Sequence, residues 1–226
     1  MIKKILDKIV KTERYGKITD IEKYLEENYP GEDFSLSETS SLTRNINYHI
    51  AGRKNKSDCT IVAISTIMEL HSKFGYFREQ MDYDEIYGLV LKSAGSIGAY
   101  PIPVRGGTFP FLADNIIRKF FKIVGAENYR TRNIYSFSWN KSEKKKRIMV
   151  TEILNRRPFV LNISFGDYKN HSVTGIGYSI YKSSKGKEVF FLELADGWSR
   201  IPKYIDMNRF SIIASMTVAD PGIRKI

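Results

Sequence analysis

A chain of 226 residues, 42% hydrophobic and 27% charged, has an ordinary globular composition and can fill one large domain or two lobes around a shared cleft. Its single cysteine and three histidines exclude an intramolecular disulfide and a thiolate metal cluster, and no cofactor or structural metal is expected. The formal net charge of +11 favours acidic partners, yet the basic residues are scattered and no interleaved basic–aromatic motif for nucleic acid stands among them.

The first ten residues place Ile2, Ile5, Leu6, Ile9 and Val10 on one face of an amphipathic helix. Asp7 and Lys8 interrupt the apolar run, and no small-residue cleavage site follows, so the segment does not read as a signal peptide. No apolar run approaches the roughly 20 residues that a membrane span requires. A cytoplasmic protein is expected, or a secreted one had a signal been removed beforehand. Thr19 or Asp20 caps a helix that runs to Tyr29, where Pro30-Gly31 ends it. Residues 1–30 thus form a helical extension ahead of a main domain over 31–226.

Residues 31–57 are rich in Ser, Thr and Asn and read as loop. From Cys59 to Phe74 the apolar residues Ile61, Ile64, Ile67 and Met68 fall near helical spacing, with Asp58 as N-cap and Gly75 as the stop. Asp82 or Asp84 opens another helix reaching Ala94. The glycine-rich stretch Gly95–Gly107 reads as a surface loop; it and Asn45–Ser57 could border a cleft, though such a loop is more often a plain connection. Thr108 suits an N-cap and Pro110 a first turn, for a helix ending at Val124 before Gly125. A further helix over 142–155 carries the basic run 141–147, read as a solvated face. The period then changes to short β-branched and aromatic runs at 158–164, 171–181, 187–195 and 210–218, with the turn Ser183-Ser184-Lys185-Gly186 between the second and third. A helical part (31–155) followed by an antiparallel sheet part (156–226) predicts an α+β fold.

Cys59 stands at the start of a buried helix, where unpaired backbone N–H groups and the helix dipole favour an anion such as a thiolate. The Cys59 N–H is also placed to donate to a developing oxyanion. His171 begins a strand and Asp196 ends the next one, so a hairpin brings them together, and a carboxylate there would orient the imidazole. Trp198 follows as a shield against solvent. His71 is twelve residues along the Cys59 helix, about 18 Å away at ~1.5 Å per residue, and reads as packing.

The strings NHSVTGIGY from Asn170 and FLELADGWS from Phe191 resemble the histidine strand and the Asn/Asp-x-Trp strand of papain-like cysteine peptidases. DCTIVAISTIMELHSKFG from Asp58 resembles the nucleophile helix of their bacterial double-glycine-leader (bacteriocin-processing) branch. The resemblance covers roughly residues 45 to 205. It implies Cys59 as nucleophile, His171 as general base and acid, Asp196 as the orienting group, and a helical lobe facing a twisted antiparallel sheet. These families usually carry a glutamine six residues before the nucleophile to complete the oxyanion hole. Arg53 occupies that position here, and Asn55, with the right amide chemistry, lies four residues before Cys59. Arg53 and Asn55 are therefore the candidates for the second donor.

Three readings follow. A thiol hydrolase would cleave peptide or amide bonds, with a peptide substrate of acidic character favoured by the net charge. An acyltransferase would use the same triad with an amine as acceptor. A non-catalytic papain-like binding module is suggested by the missing glutamine and the positive charge.

Overall fold

Burial is most complete where apolar residues are densest. Helix α2 (Cys59–Lys73) has thirteen of its fifteen residues buried, and a helix apolar around most of its circumference must lie inside a fold. The structure is a computed structural model that describes residues 15–102, 106–126, 128–135, 143–164, 166–210 and 213–222. The amphipathic helix expected over residues 2–10 lies outside them.

On one side α2 is covered by α3 (Tyr83–Ser96) and α4 (Ala113–Ile123). Ile61, Ile64, Ile67 and Met68 pack there against Ile86 and Val90 of α3 and Ile116 and Phe120 of α4. Asp82 caps α3 by accepting from the Glu85 N–H at 2.8 Å, as the sequence predicts. Thr108, by contrast, caps nothing. A 3₁₀ turn over Pro110–Leu112 precedes α4, and neither start has a side-chain cap.

On its other side α2 meets the sheet. The strands are β1 (Phe34–Ser41), β2 (Arg130–Tyr135), β3 (Phe159–Ile163), β4 (His171–Ser183), β5 (Glu188–Ala195), β6 (Lys203–Asp206) and β7 (Ile213–Asp220). Their order is β2-β7-β3-β4-β5-β6, every pairing antiparallel, with β1 beside β4. β4 is long enough to serve two neighbours on one edge: His171–Gly175 pair with β3 and Gly177–Ser183 with β1. Helix α1 (Ile21–Asn28), capped by Asp20, and helix α5 (Glu143–Leu154) pack on the sheet through Tyr24 and Leu25 and through Met149 and Ile153. α1 is further tied down where the Tyr24 and Tyr29 hydroxyls donate to the buried Asp206 carboxylate at 3.0 and 2.6 Å.

The fold is α+β, with five helices and a seven-stranded sheet among the described residues. Two strands cross the division expected from sequence. β1 lies in the segment read as loop, and β2 follows α4 where a helical part was expected. Both are edge strands with mostly polar, solvent-facing residues, so neither shows the apolar alternation that marks a strand. β6, at the other edge of the sheet, is only four residues long, too short for a period to show. No helix among the described residues is long and apolar enough to cross a membrane.

Two features of this packing are open to test. A Cβ on Gly175 would fall well inside contact distance of the Phe159 ring, and one on Gly177 would come 2.8 Å from the Ser40 carbonyl oxygen. Gly175→Ala should destabilise the protein by about 1–3 kcal/mol in denaturant unfolding, and an unchanged midpoint would contradict this register. His71 is fully buried, edge-on to Tyr76 at 5.5 Å, and burial pushes its pKa down to about 4. Above about pH 6.5 the ring is neutral folded and unfolded alike, whereas below it only the unfolded chain takes the proton. His71 should therefore remove stability as pH falls from 6.5 toward 4, by up to about 1.4 kcal/mol per unit. Unfolding curves of His71→Leu between pH 6.5 and 5 should show a shallower slope than the parent.

Candidate active site

A cleft of about 830 Å³ opens where the start of α2 faces the mouth of the sheet. Its walls include Gly52, Ser57 and Cys59 on the helical side, Gly106–Phe109 from the glycine-rich loop, and His171 and Trp198 on the sheet side. Residues of both loops, 45–57 and 95–107, thus line the cleft, where a plain connection was the commoner reading of the glycine-rich one.

The Cys59 end is shaped by Asp58. At the N-cap position, its carboxylate turns away from α2 into the preceding loop. It accepts from the Gly52 N–H and the Tyr87 hydroxyl, each at 2.6 Å, and from the Asn55 N–H at 3.4 Å. A carboxylate so enclosed holds the chain rigidly at the point where the helix begins. Gly52, at φ +78°, supplies the left-handed backbone this loop needs. Cys59 follows as a free, half-buried thiol.

The strand side is locked to α2 by buried hydroxyls and an amide. Thr60 Oγ1 and Ser172 Oγ lie 2.8 Å apart, Ser172 donates to Asn162 Oδ1 at 2.7 Å, and Asn162 Nδ2 donates to Ser215 Oγ at 2.8 Å. This chain spans α2, β4, β3 and β7 one residue away from both Cys59 and His171. Buried polar groups satisfied in this way fix geometry that apolar packing leaves free.

His171, the first residue of β4, lies with its Nε2 at 2.6 Å from the backbone carbonyl oxygen of Asp196. A carbonyl only accepts, so Nε2 carries the proton, and in the neutral ring Nδ1 keeps the lone pair. The imidazole stacks on the Trp198 indole, with centroids 3.9 Å apart and planes 17° from parallel, and Tyr168 continues the stack 5.5 Å from Trp198. Burial pushes the His171 pKa below the ordinary histidine value, and Lys17 acts in the same direction. The Asp196 carbonyl and carboxylate oppose them. The net effect favours a neutral imidazole, the form that can accept a proton.

The carboxylate of Asp196 does not take the expected role directly. Its Oδ1 accepts from the Trp198 and Ser199 N–H groups, both at 2.9 Å, and from the Ser199 hydroxyl at 3.2 Å. It thus closes the turn that follows β5, and the histidine is held by this residue's main chain. The expected oxyanion donors are placed elsewhere. The Asn55 side-chain amide donates to the Tyr87 hydroxyl at 2.9 Å, and Arg53 borders a neighbouring depression with Tyr83 and Arg200; neither lines the cleft. Trp198 is 45% exposed and stacks on one face of the imidazole.

Several site residues lay beyond the sequence reading. Tyr87 gave no signal, since its link to Asp58 joins two helices distant in sequence. Ser172 and Asn162 had one: polar side chains within strands otherwise apolar. Thr108, read as a cap, lines the cleft with its hydroxyl buried and unpartnered among the described residues.

No protein-family model matches this chain, and no curated protein matches it. Among solved structures it is similar to two crystal structures of SERA5E from Plasmodium falciparum, each at 13% identity and a TM-score of 0.50. One likeness covers 80% of this chain and 91% of that one, the other 89% and 96%. SERA5E has a papain-like protease fold, so the chain shares that α+β architecture across most of its length.

The two duties of Asp196 separate by substitution. Asp196→Asn retains an acceptor for the turn and should fold within about 1 kcal/mol of the parent, whereas Asp196→Ala leaves buried donors unpaired and should lose about 1–3 kcal/mol. Equal losses in chemical denaturation would show that the turn does not depend on that oxygen.

Proposed function

We propose that the protein is a thiol hydrolase that cleaves peptide or amide bonds, with Cys59 as nucleophile and His171 as base and acid. The observation that carries this reading is that Cys59 and His171 line one cleft while the His171 proton is fixed on Nε2. Nδ1 of the neutral ring takes the thiol proton as sulfur attacks the carbonyl carbon, forming a C–S bond and an oxyanion. The imidazolium then returns that proton to the departing amine as the C–N bond breaks. Water, activated by the same nitrogen, releases the acid and restores the thiol. The free N–H groups of the first turn of α2 supply the oxyanion contact. Asp196 serves through its carbonyl and by holding Trp198.

The cleft lining gives the expected acidic substrate no support. Among its described residues there is no lysine or arginine. A non-catalytic module is favoured by one observation, the commitment of the Asn55 amide to Tyr87. Loss of an oxyanion donor typically lowers a rate by about 10²–10³, which leaves a measurable enzyme.

Turnover of a quenched-fluorescence peptide library decides between the two readings. Hydrolysis should be detectable with the parent chain and fall by at least about 10³-fold in Cys59→Ala and in His171→Ala. No cleavage by the parent, or cleavage that survives Cys59→Ala, would remove the thiol mechanism. An added primary amine should leave the product an acid; an amide product would instead make the protein an acyltransferase.

A further inference from the structure

The segment ahead of α1 reaches the histidine. Its backbone is pinned on both sides of Lys17. The Tyr15 carbonyl accepts from the Asp206 N–H at 3.0 Å, the Gly16 N–H donates to the Asp167 carboxylate at 3.1 Å, and Ile18 exchanges hydrogen bonds with Tyr204 at 3.0 and 2.8 Å. Between these anchors Lys17 adopts φ +53°, a left-handed conformation that a lysine holds only where its surroundings impose it. The constraint carries its ammonium to 4.6 Å from the Trp198 ring centroid and 5.6 Å from that of Tyr168. These are the two rings stacked with His171. A cation over an indole face is attracted by the ring quadrupole, the more so when the ring cannot turn away.

We propose that Lys17 is a positioning residue of this site. Its ammonium clamps the Trp198 indole against the His171 imidazole, and the pinned strap Tyr15–Ile18 sets where that clamp sits. The ring is then held on three sides: by the Asp196 carbonyl at Nε2, by Trp198 on one face, and by strand β4 at its root. The clamp stands on geometry alone; its consequence for catalysis rests on His171 acting as the base. It also sets a charge near the imidazole. The other charged or titratable groups around the ring are Asp196 after β5, Asp58 and Cys59 at the start of α2, and Asp167 and Tyr168 in the 3₁₀ turn before β4. Among the described residues Lys17 is the cation that acts on the ring, so its removal favours imidazolium.

The test is an NMR titration of the full chain, following the His171 Cε1–H and Trp198 Nε1–H resonances. Lys17→Met should raise the His171 midpoint by about half a pH unit at low salt, and the difference should shrink in about 0.5 M salt as the charge is screened. The same variant should move the Trp198 resonance. Lys17→Arg should restore both values, since guanidinium keeps the charge and the ring contact. Lys119→Met on α4, with the same change in net charge, should leave them in place. Should Lys17→Met fail to fold, Gly16→Val displaces the strap instead. A Cβ at Gly16 meets Asp167 Oδ2 at 3.1 Å and the Tyr168 ring at 3.3 Å, and the same rise is expected. A midpoint unmoved by either variant, or moved as far by Lys119→Met, overturns the clamp. None of these readouts needs turnover, so failure of the clamp and failure of the hydrolase reading are separate results.

Discussion

The site depends on how α2 is seated against the sheet. An apolar helix buried along nearly its whole length has no solvent face to set its rotation, and van der Waals packing alone tolerates small slips. The buried chain Thr60–Ser172–Asn162–Ser215 removes that freedom. It joins the residue after Cys59 to the residue after His171, so the thiol and the imidazole are carried by two elements that cannot shift independently without stranding buried polar groups. Asp58 does the same at the end of the loop before the helix. Both devices place polar groups where an apolar core would have been simpler, and such groups concentrate where position matters more than stability.

Around that fixed pair the histidine is organised chiefly by main chain and aromatic stacking. The Asp196 carbonyl selects the Nε2 tautomer, and the carboxylate of the same residue shapes the turn that presents Trp198. Trp198, Tyr168 and Lys17 extend the support outward from the ring. One consequence is electrostatic. Burial and a nearby ammonium act together to keep the imidazole neutral, against the opposing pull of Asp196.

The sequence made the architecture of the centre legible and that of the edges obscure. Cys59–Lys73 and the strands β3, β4, β5 and β7 are apolar enough for their period or composition to show. The loops at 45–57 and 95–107 could not be placed at the cleft from sequence, since glycine-rich and polar loops look the same whether or not they border a site. β1 and β2 were not, since polar edge strands obey backbone pairing rather than a buried face. Of the candidate site residues picked from sequence, Cys59, His171 and Trp198 line one cleft, but the atoms that meet there were not legible. That Asp196 would offer its carbonyl rather than its carboxylate to the ring depends on a turn of three hydrogen bonds. Asn55 had the right chemistry at a suitable spacing, and only the proximity of Tyr87 shows where its amide is spent.

The chain has one cysteine, and thiol chemistry at the cleft requires that it be coupled to His171. The most direct measurement is the rate of Cys59 alkylation by iodoacetamide across pH 5 to 9, in the parent and in His171→Ala. With His171 as the base, Cys59 in the parent should be alkylated faster than in His171→Ala around neutral pH. Superimposable profiles for the two proteins would contradict it.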